Sequence, residues 1–283
     1  MEKLRNDEVT LLVPTMNKNS EKEIIDLCER MNINSNAIIA NQCGKESKST
    51  LIFKGHTILV FCSKDVGVSK NRNLLLKNAF GKYGIFMDDD GIMSNDYSDI
   101  VAKEFKNTEC SWIKFNVKIV ESAKRETNTL CTKRGVASYG MVSQYGMPGF
   151  AFKVDEKNKN YSFNEEVGTP NYIFHGEDSL FIHNLFKREK IFCSDEIIAS
   201  IIQRESSWFS NYNDQYYITQ GYLYKKMHSI FAPLYIARMY YKKRKLFNKS
   251  FLYIYKRAKI GFKMVRINSA IHADFAQSKL KKI

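Results

Sequence analysis

Three consecutive aspartates, Asp88, Asp89 and Asp90, follow an apolar run and precede a glycine in YGIFMDDDGIM, residues 83–93. In an extended segment alternate side chains share a side, so Asp88 and Asp90 face one way and Asp89 the other. Close carboxylates are stable together mainly when a cation neutralises them, and Mg²⁺ or Mn²⁺ takes such oxygen ligands and shares them with substrate phosphates. The segment therefore predicts a metal site on Asp88 and Asp90; the competing interpretation is a solvated acidic turn.

The segments that must position these aspartates alternate between strand and helix patterns. Apolar runs indicate strands at residues 8–14, 36–40, 57–62 and 83–87, and helical spacing indicates helices at 19–31 and 69–80. This alternation predicts parallel βαβ units with right-handed crossovers, in which ligands bind outside the carboxyl ends of the strands. Because the aspartates follow the fourth predicted strand, we expect them to face the ligand crevice.

Beyond Asp90 the pattern changes. Residues 112–119 alternate like a strand of antiparallel type, residues 150–154 predict a short strand, and residues 174–189 predict a loop that enters a helix. Residues 191–202 contain runs of β-branched residues. The alternation of strand and helix seen before Asp90 therefore does not continue beyond it.

Composition and cysteine usage restrict the class of protein. The chain has 283 residues, 44% of them hydrophobic and 13% aromatic, which is typical of a globular protein with a sizeable core. Residues 1–8 are polar and charged where a signal peptide would be apolar, and no run is apolar for long enough to span a membrane. The six cysteines lack CxxC pairs or metal-ligand spacing, which favours free thiols in a reducing cytoplasm.

The net charge of +14 is concentrated at one end of the sequence. From Gly221 onward there are 16 Lys or Arg and one acid, Asp274, whereas the preceding 220 residues hold 28 basic and 29 acidic residues. Beside a row of basic residues, an apolar helical stripe consists of Phe251, Tyr255, Ala258, Phe262 and Val265. This pattern is typical of an interfacial membrane helix. The alternatives are a nucleic-acid-binding surface and a helical appendage that packs on the domain with solvated lysines.

Two classes of enzyme place an acidic pair after an apolar strand. In haloacid-dehalogenase-type phosphatases the nucleophilic aspartate belongs to a DxDG pattern, and residues 88–91 match its four positions. Those enzymes carry the pattern on the first strand and follow it with Thr or Ser. Here it follows about the fourth strand, and Ile92 and Met93 come next. The second class, the nucleotide-sugar transferases, fits this position better.

From residue 9 onward the chain resembles the family-2 glycosyltransferases of the GT-A fold, of the kind that builds bacterial surface polysaccharides such as capsule or lipopolysaccharide. The resemblance covers roughly residues 9–207 and is carried, in order, by VTLLVPTMN, AIIANQC, GVSKNRNLLLKNAFGKYGIFMDDD and HGEDSLFIHNLF. It implies a Rossmann-like α/β fold with a mixed, mostly parallel sheet flanked by helices. This chain adds a C-terminal helical basic extension.

The resemblance assigns roles to residues near the aspartates. It implies that Asp88 and Asp90 form a DxD motif that binds Mn²⁺ or Mg²⁺ and, through the ion, the diphosphate of the donor. A departing nucleoside diphosphate gains negative charge in the transition state, which a cation stabilises selectively. The residues expected to contact the nucleotide are Thr15, Asn41, Gln42, Arg72 and Asp89. Asn41 and Gln42 stand where the family often has aspartates, and their amides are expected to bond a uracil edge or ribose hydroxyls.

The resemblance also assigns roles on the acceptor side. Asp178 is the expected catalytic base for an acceptor hydroxyl, with Glu177 as its neighbour or alternate, in a single displacement that inverts the anomeric configuration. The competing interpretation of both acids is helix capping. His175, in the predicted loop that leads into this helix, is expected to contact the acceptor. Many GT-A enzymes supply a late histidine to the metal; the corresponding region here has none, which leaves Gln203, Glu205 or water.

These expectations define the organisation of the whole chain. We expect residues 1–207 to form the GT-A domain, with a nucleotide-binding half at about 1–95 and an acceptor-side half at 96–207, and residues 208–283 to form the basic, aromatic-rich extension. The expected reaction moves a sugar from a nucleotide-diphosphate donor, UDP-linked by the resemblance, to a saccharide or lipid-linked saccharide. The extension is expected to bind an anionic membrane surface, which places a cytoplasmic enzyme at the inner face of the cell membrane; nucleic acid is not an expected partner. Outside enzymes, the alternative is a non-catalytic module that binds membranes or polyanions.

Overall fold

Two compact units make up the chain. The first takes residues 1–163 and 181–205, and the second takes residues 164–180 and 206–283. The structure, a computed structural model, describes residues 8–122, 131, 133–142, 146–203, 211–268 and 271–282. The predicted domain boundary at residues 207 and 208 lies outside these described residues. Nowhere in the described ranges is a helix both long enough and apolar enough to cross a membrane.

Among the described residues of the first unit, ten strands form one mixed sheet. They are β1 (Val9–Met16), β2 (Asn36–Gln42), β3 (Ser47–Phe53), β4 (His56–Ser63), β5 (Tyr83–Phe86), β6 (Gly91–Met93), β7 (Trp112–Ser122), β8 (Gly135–Val136), β9 (Phe150–Lys153) and β10 (Ile191–Gln203). Their order is β3-β4-β2-β1-β5-β9-β7-β10-β6, with β8 paired to β10. Strands β4, β2, β1 and β5 run parallel, so their carboxyl ends meet at one edge of the sheet.

Helices cover both faces of this sheet. They are α1 (Glu21–Arg30), α2 (Val68–Asn78), α3 (Tyr97–Lys106), the short α4 (Tyr139–Val142) and α5 (Glu156–Lys159), and the later part of α6 (Glu177–Phe186). Leu27 of α1 and Phe105 of α3 pack on one face, and Leu75 of α2 and Leu185 of α6 pack on the other. This layered arrangement confirms the predicted α/β fold class.

Strand β3 was not predicted. It pairs antiparallel with β4 through a two-residue turn, in which Lys54 and Gly55 have φ angles of 51° and 82°. Positive φ at both turn positions matches the twist of a tight hairpin. Most of its side chains are exposed, so the strand lacks the apolar run that identifies its buried neighbours. Strand β7, predicted to be of antiparallel type, pairs antiparallel with β9 and parallel with β10.

The second unit is helical. Its helices are the first turn of α6, α7 (Asp214–His228), a 3₁₀ turn (Ser229–Phe231), α8 (Ala232–Lys243), α9 (Phe251–Met264) and α10 (His272–Leu280). Helices α7 and α9 lie so close that a Cβ at Gly221 would overlap the carbonyl of Ala258, and one at Gly261 would overlap the carbonyl of Ile218. Glycine at these two positions therefore permits the packing of the unit.

The buried face of α9 differs from the predicted apolar stripe. Ile254, Ala258, Gly261 and Met264 are buried, whereas of the predicted stripe only Ala258 is. The remaining aromatic residues of the stripe are half-buried or exposed, because the small residues of α9 lie closest to α7 and the rings lie beside that contact. The basic residues at 256, 259, 263 and 266 are exposed, as their spacing predicted.

Candidate active site

The three aspartates form a tight turn at the carboxyl end of β5. The Gly91 N–H donates to the carbonyl oxygen of Asp88 over 3.0 Å, which closes a four-residue β-turn before β6. The Met87 N–H donates to the carbonyl of Leu12 over 3.1 Å, so parallel pairing with β1 extends to the residue before the turn. The backbone therefore fixes where the three carboxylates lie.

Two side chains from neighbouring elements hold these carboxylates. Arg72 Nη2 of α2 donates to Asp88 Oδ1 over 3.1 Å, and only 4% of the Arg72 side chain is exposed. Thr15 Oγ1, at the carboxyl end of β1, donates to Asp89 Oδ2 over 2.6 Å. The structure thus brings together Thr15, Arg72 and the aspartates, all of which the sequence had singled out.

Arg72 is itself held against an aromatic ring. Its guanidinium carbon lies 5.7 Å from the centre of the Phe163 ring. Asn73 holds Phe163 in place: the Asn73 side-chain amide donates to the Phe163 carbonyl over 3.1 Å and accepts from the Phe163 N–H over 2.7 Å. Phe163 also stacks on Phe181 at 4.0 Å between ring centres. A guanidinium between a ring and a carboxylate is a preoriented positive charge.

The charge balance of the aspartate cluster is unfavourable without a further cation. Partial burial, together with the nearby charges of Asp88 and Asp89, raises the pKa of Asp90 above its ordinary value. This desolvation acts although Asp90 as a whole is exposed to solvent. Arg72 pairs with Asp88, and the charge of Arg30 only partly offsets the raised pKa of Asp90. The oxygen donors of the turn suit a hard divalent cation such as Mg²⁺ or Mn²⁺.

An ion at this cluster would be held only in part by protein. Among the described residues, no group of three or more His, Cys, Asp or Glu is placed to hold a metal ion. An ion on Asp88 and Asp90 would complete its coordination with phosphate oxygens and water, which is how Mg²⁺ commonly binds. The predicted late ligand Glu205 lies outside the described residues, as does the side chain of Gln203.

Asn41 and Gln42 lie at the carboxyl end of β2, where Asn41 is in register with Thr15. The Asn41 amide donates to the carbonyl of Lys18 over 2.6 Å and accepts from the Lys18 N–H over 3.2 Å. The Gln42 amide donates to the carbonyl of Gly67 over 2.8 Å. Both amides thus hold the loops around the site, and their direct contact with a nucleotide stays a prediction.

A cavity of about 160 Å³ opens beside Asn41, between the β1–α1 loop and strands β3 and β4. Polar residues such as Lys18 and Ser47 line it together with apolar ones such as Ile24 and Leu51. Its position next to Thr15 places it at the carboxyl edge of the parallel strands, where ligands of such sheets bind.

Asn71 is a positioning residue that the sequence analysis missed. Its amide donates to the carbonyl of Thr15 over 3.2 Å and to that of Ala40 over 3.1 Å, which joins the ends of β1 and β2 to α2. The available signal is a polar residue on the buried face of a helix, one turn before Leu75.

The predicted acids of the acceptor side lie in the second unit. Glu177 and Asp178 are half-buried in the first turn of α6. The preceding Gly176 has a φ of +99°, and a Cβ there would overlap the side chain of Leu223. Only glycine fits both conditions, so Gly176 determines where α6 begins and how the two acids are presented.

His175 is packed between aromatic rings of the second unit. Its ring centre lies 4.6 Å from that of Phe174 and 5.6 Å from that of Tyr216. Burial, with a smaller contribution from Lys243, lowers the pKa of His175 to about 4. The imidazole is therefore neutral at pH 7, and its contact with an acceptor stays a prediction.

The mixed sheet flanked by helices has the architecture of the GT-A fold. The profile of glycosyl transferase family 2 matches residues 13–164, more than half of the chain, and the protein belongs to this family. The match contains Arg72 and the aspartate turn and ends before Asp178.

Solved structures share this fold. The chain is similar to residues 1–349 of S. aureus TarS in complex with UDP-GlcNAc, with a TM-score of 0.62 and 15% identity over 96% of this chain and 88% of that one. The same fragment in complex with UDP gives a TM-score of 0.60 and 14% identity over 96% and 87%. At these identities the likeness shows the fold alone. No match was found among curated proteins.

Proposed function

We propose that this protein is an inverting, metal-dependent glycosyltransferase that moves a sugar from a UDP-linked donor to a saccharide or lipid-linked saccharide in surface glycan synthesis. The observation that carries the proposal is the group formed by Thr15, Arg72 and the aspartate turn, which lies at the carboxyl ends of β1 and β5 inside the family match. The TarS fragment of the same fold was solved with UDP-GlcNAc and with UDP, which supports a uridine nucleotide.

On the donor side, each residue has a separate task. Asp88 and Asp90 would hold Mn²⁺ or Mg²⁺, which when bound neutralises charge on the departing diphosphate. Arg72 adds a permanent positive charge beside that position, and its contact with Phe163 keeps it oriented. Thr15 holds Asp89, which is then placed to accept hydrogen bonds from the nucleotide. We assign the base of the nucleotide to the cavity beside Asn41, because the cavity offers both polar and apolar groups and borders the same edge of the sheet.

On the acceptor side, Asp178 removes the proton of the attacking hydroxyl. The hydroxyl oxygen forms a bond to the anomeric carbon while the bond from that carbon to the diphosphate oxygen breaks, and the electron pair leaves with the nucleoside diphosphate. Attack opposite the leaving group inverts the configuration. Glu177 is the alternate base, and the neutral His175 is assigned a hydrogen bond to the acceptor.

A panel of nucleotides tests the donor class. The melting temperature is measured with UDP, ADP, GDP and CDP, each with and without Mn²⁺. We expect UDP to raise it in a Mn²⁺-dependent way, because a ligand that binds only the folded state stabilises that state. The variant Asp88→Asn should lose the shift, whereas Asp26→Asn, which changes an exposed acid of α1, should keep it.

The same panel can contradict the proposal. If no nucleoside diphosphate stabilises the protein, and if it hydrolyses a simple phosphate ester in a reaction that Asp88→Asn abolishes, the aspartate turn belongs to phosphatase chemistry.

The catalytic base has its own test. We expect Asp178→Asn to lower kcat by about 10²- to 10⁴-fold, the usual contribution of a general base, while Mn²⁺-dependent UDP binding is unchanged. Glu177→Gln, the matched change at the adjacent acid, should cost less. A larger loss in Glu177→Gln would move the assignment to Glu177, and normal turnover in both variants would refute a base in this turn of α6.

The proposed location is the inner face of the cell membrane. Most lysines and arginines of the second unit are exposed, among them the basic row of α9 at residues 256, 259, 263 and 266, and an anionic lipid surface would attract them. A lipid-linked acceptor would be presented at the same surface.

A further inference from the structure

An exposed apolar surface lies where α7 passes into α8. Ile230, Phe231 and Leu234 expose 75%, 57% and 66% of their surface. They border an open hollow of about 690 Å³ whose other walls include Met227 and Tyr235. Soluble proteins rarely expose neighbouring large apolar side chains without a function, so this apolar tip indicates an interaction site.

The outward face of α8 continues from the apolar tip. Its inward face carries Ala232, Ile236 and Met239, which are buried. Its exposed residues recur at helical spacing and alternate between apolar and basic types: Leu234, Arg238, Tyr241 and Lys242. The guanidinium of Arg244 lies 4.5 Å from the centre of the Tyr241 ring, so positive charge and aromatic surface are directly combined at this end of the helix. The solvent-exposed face of helix α8 therefore combines apolar and basic side chains.

The charge around this surface has one sign. Residues 215–273 contain 13 Lys or Arg and no Asp or Glu. Lys225 and Lys226 precede the apolar tip in the chain, and Lys242 and Lys245 follow it, with all but the half-buried Lys225 exposed. The partner must therefore be negatively charged and must also accept apolar side chains.

Only one of three candidate partners meets both conditions. A nucleic acid offers negative charge but no apolar interior for Ile230 and Leu234. A second copy of this chain could cover the apolar tip but would bring two basic surfaces together. An anionic bilayer offers acyl chains for the tip and charged headgroups for the basic residues.

We propose that Ile230, Phe231 and Leu234 insert into the interfacial layer of an anionic bilayer while Arg238 and Lys242 contact lipid headgroups. This inference rests on the proposed membrane location of the enzyme and deepens it by naming the surface. It assigns the contact to the 3₁₀ turn and α8 rather than to the predicted stripe of α9, since that helix uses its closest face to pack on α7.

Co-sedimentation of the full chain with vesicles tests the surface. Phosphatidylcholine vesicles with and without phosphatidylglycerol are compared. We expect binding to require phosphatidylglycerol and to be lost in the variant Ile230→Ser/Phe231→Ser/Leu234→Ser. In Arg238→Gln/Lys242→Gln the partition coefficient should fall about 25-fold, because each basic residue near an anionic surface contributes about fivefold.

Matched variants in the first unit serve as controls. Ile52→Ser/Val136→Ser removes apolar side chains that are 61% and 63% exposed, and Lys22→Gln/Lys77→Gln removes two exposed positive charges. Both should bind vesicles like the wild type. All variants should keep the wild-type melting temperature and the Mn²⁺-dependent shift with UDP, which shows that they are folded.

Several results would overturn the inference. Vesicle binding that survives both test variants excludes this surface, and so does the absence of binding by the wild type. Binding to single-stranded RNA that equals vesicle binding and is unaffected by the serine substitutions would assign the surface to polyanions. Dimerisation that the serine variant abolishes would assign it to a second copy. Failure of the UDP shift with intact vesicle binding would instead contradict the proposed donor and leave the surface in place.

Discussion

At the scale of single residues, the site depends on one buried cation. Arg72 pairs with Asp88 and packs on Phe163, so its guanidinium is oriented before any ligand binds. The arginine does not balance the turn, since burial and two neighbouring carboxylates raise the pKa of Asp90. A divalent cation bound at this turn would stabilise the charged form of Asp90.

Repulsion between the carboxylates of the turn predicts that one substitution raises the stability of the metal-free protein and lowers its affinity for Mn²⁺. Asp90→Asn removes one of the mutually repelling carboxylates with little change in size, so we expect the metal-free protein to melt at a higher temperature. The same variant should lose at least about tenfold in apparent Mn²⁺ affinity, the lower end of the cost of altering a metal site. Thermal melting across a Mn²⁺ titration in the presence of UDP measures both, with Asp26→Asn as the control. A lower metal-free melting temperature, or an unchanged Mn²⁺ affinity, would count against the cluster as a cation site.

A second residue-scale prediction concerns the support of Arg72. Asn73→Ala removes two hydrogen bonds to the Phe163 backbone, and we expect the free energy of unfolding to fall by about 1–3 kcal/mol. UDP affinity should fall as well, because Phe163 no longer holds the guanidinium in place. Asn78→Ala, which removes one hydrogen bond at the far end of the same helix, should leave UDP affinity unchanged. Equal UDP affinity in both variants would show that Phe163 does not position Arg72.

At the scale of elements, the start of α6 is set by one glycine. Gly176→Ala combines a left-handed backbone angle with overlap against Leu223, and we expect it to destabilise the protein by about 1–3 kcal/mol. Because the acids that follow would be misdirected, kcat should fall while Mn²⁺-dependent UDP binding is retained. Gly140→Ala, where an added Cβ meets nothing within 4 Å, is the matched control. Loss of UDP binding together with kcat would mean that the substitution disturbs more than this helix start.

The loop before α6 also makes stability depend on pH. His175 has an ordinary pKa of 6.5 when unfolded and a pKa of about 4 in the folded protein, where Phe174, Tyr216 and Lys243 surround it. The unfolded chain therefore takes up the proton first as pH falls, and stability contributed at neutral pH is lost between pH 6.5 and 4, by up to about 3 kcal/mol.

The variant His175→Gln isolates this contribution. Its stability should decline less than that of the wild type as pH falls from 7 to 4.5, as followed by urea unfolding at each pH. Parallel decline of the two proteins would show that His175 is not the group responsible.

At the scale of the whole molecule, the fold was predictable for those elements whose buried residues form a recognisable pattern along the sequence. Strand β1 is buried on both faces, so it appears as a continuous apolar run, and helix α1 shows helical spacing along the chain. The close contact of α7 and α9 was not predictable, because Gly221 and Gly261 matter only once the two backbones meet.

The candidate site also contains residues that the sequence identified and residues that only the folded chain reveals. Arg72 and the aspartates were found because a motif places them together along the chain. Phe163 was missed because it lies 90 residues from Asn73, and only the folded chain joins them. The amides of Asn41 and Gln42 were identified by position, but their bonds to loop carbonyls depend on the conformation of loops that spacing does not encode.

Calorimetric titration of UDP, with and without Mn²⁺, measures whether the aspartate turn binds a nucleotide through a cation. We expect the wild type to bind UDP at one site with an affinity that Mn²⁺ raises by at least about tenfold. Asp26→Asn should behave like the wild type, and Asp88→Asn should lose the effect of Mn²⁺. UDP binding that neither Mn²⁺ nor Asp88→Asn alters, or no UDP binding in any condition, would contradict the account.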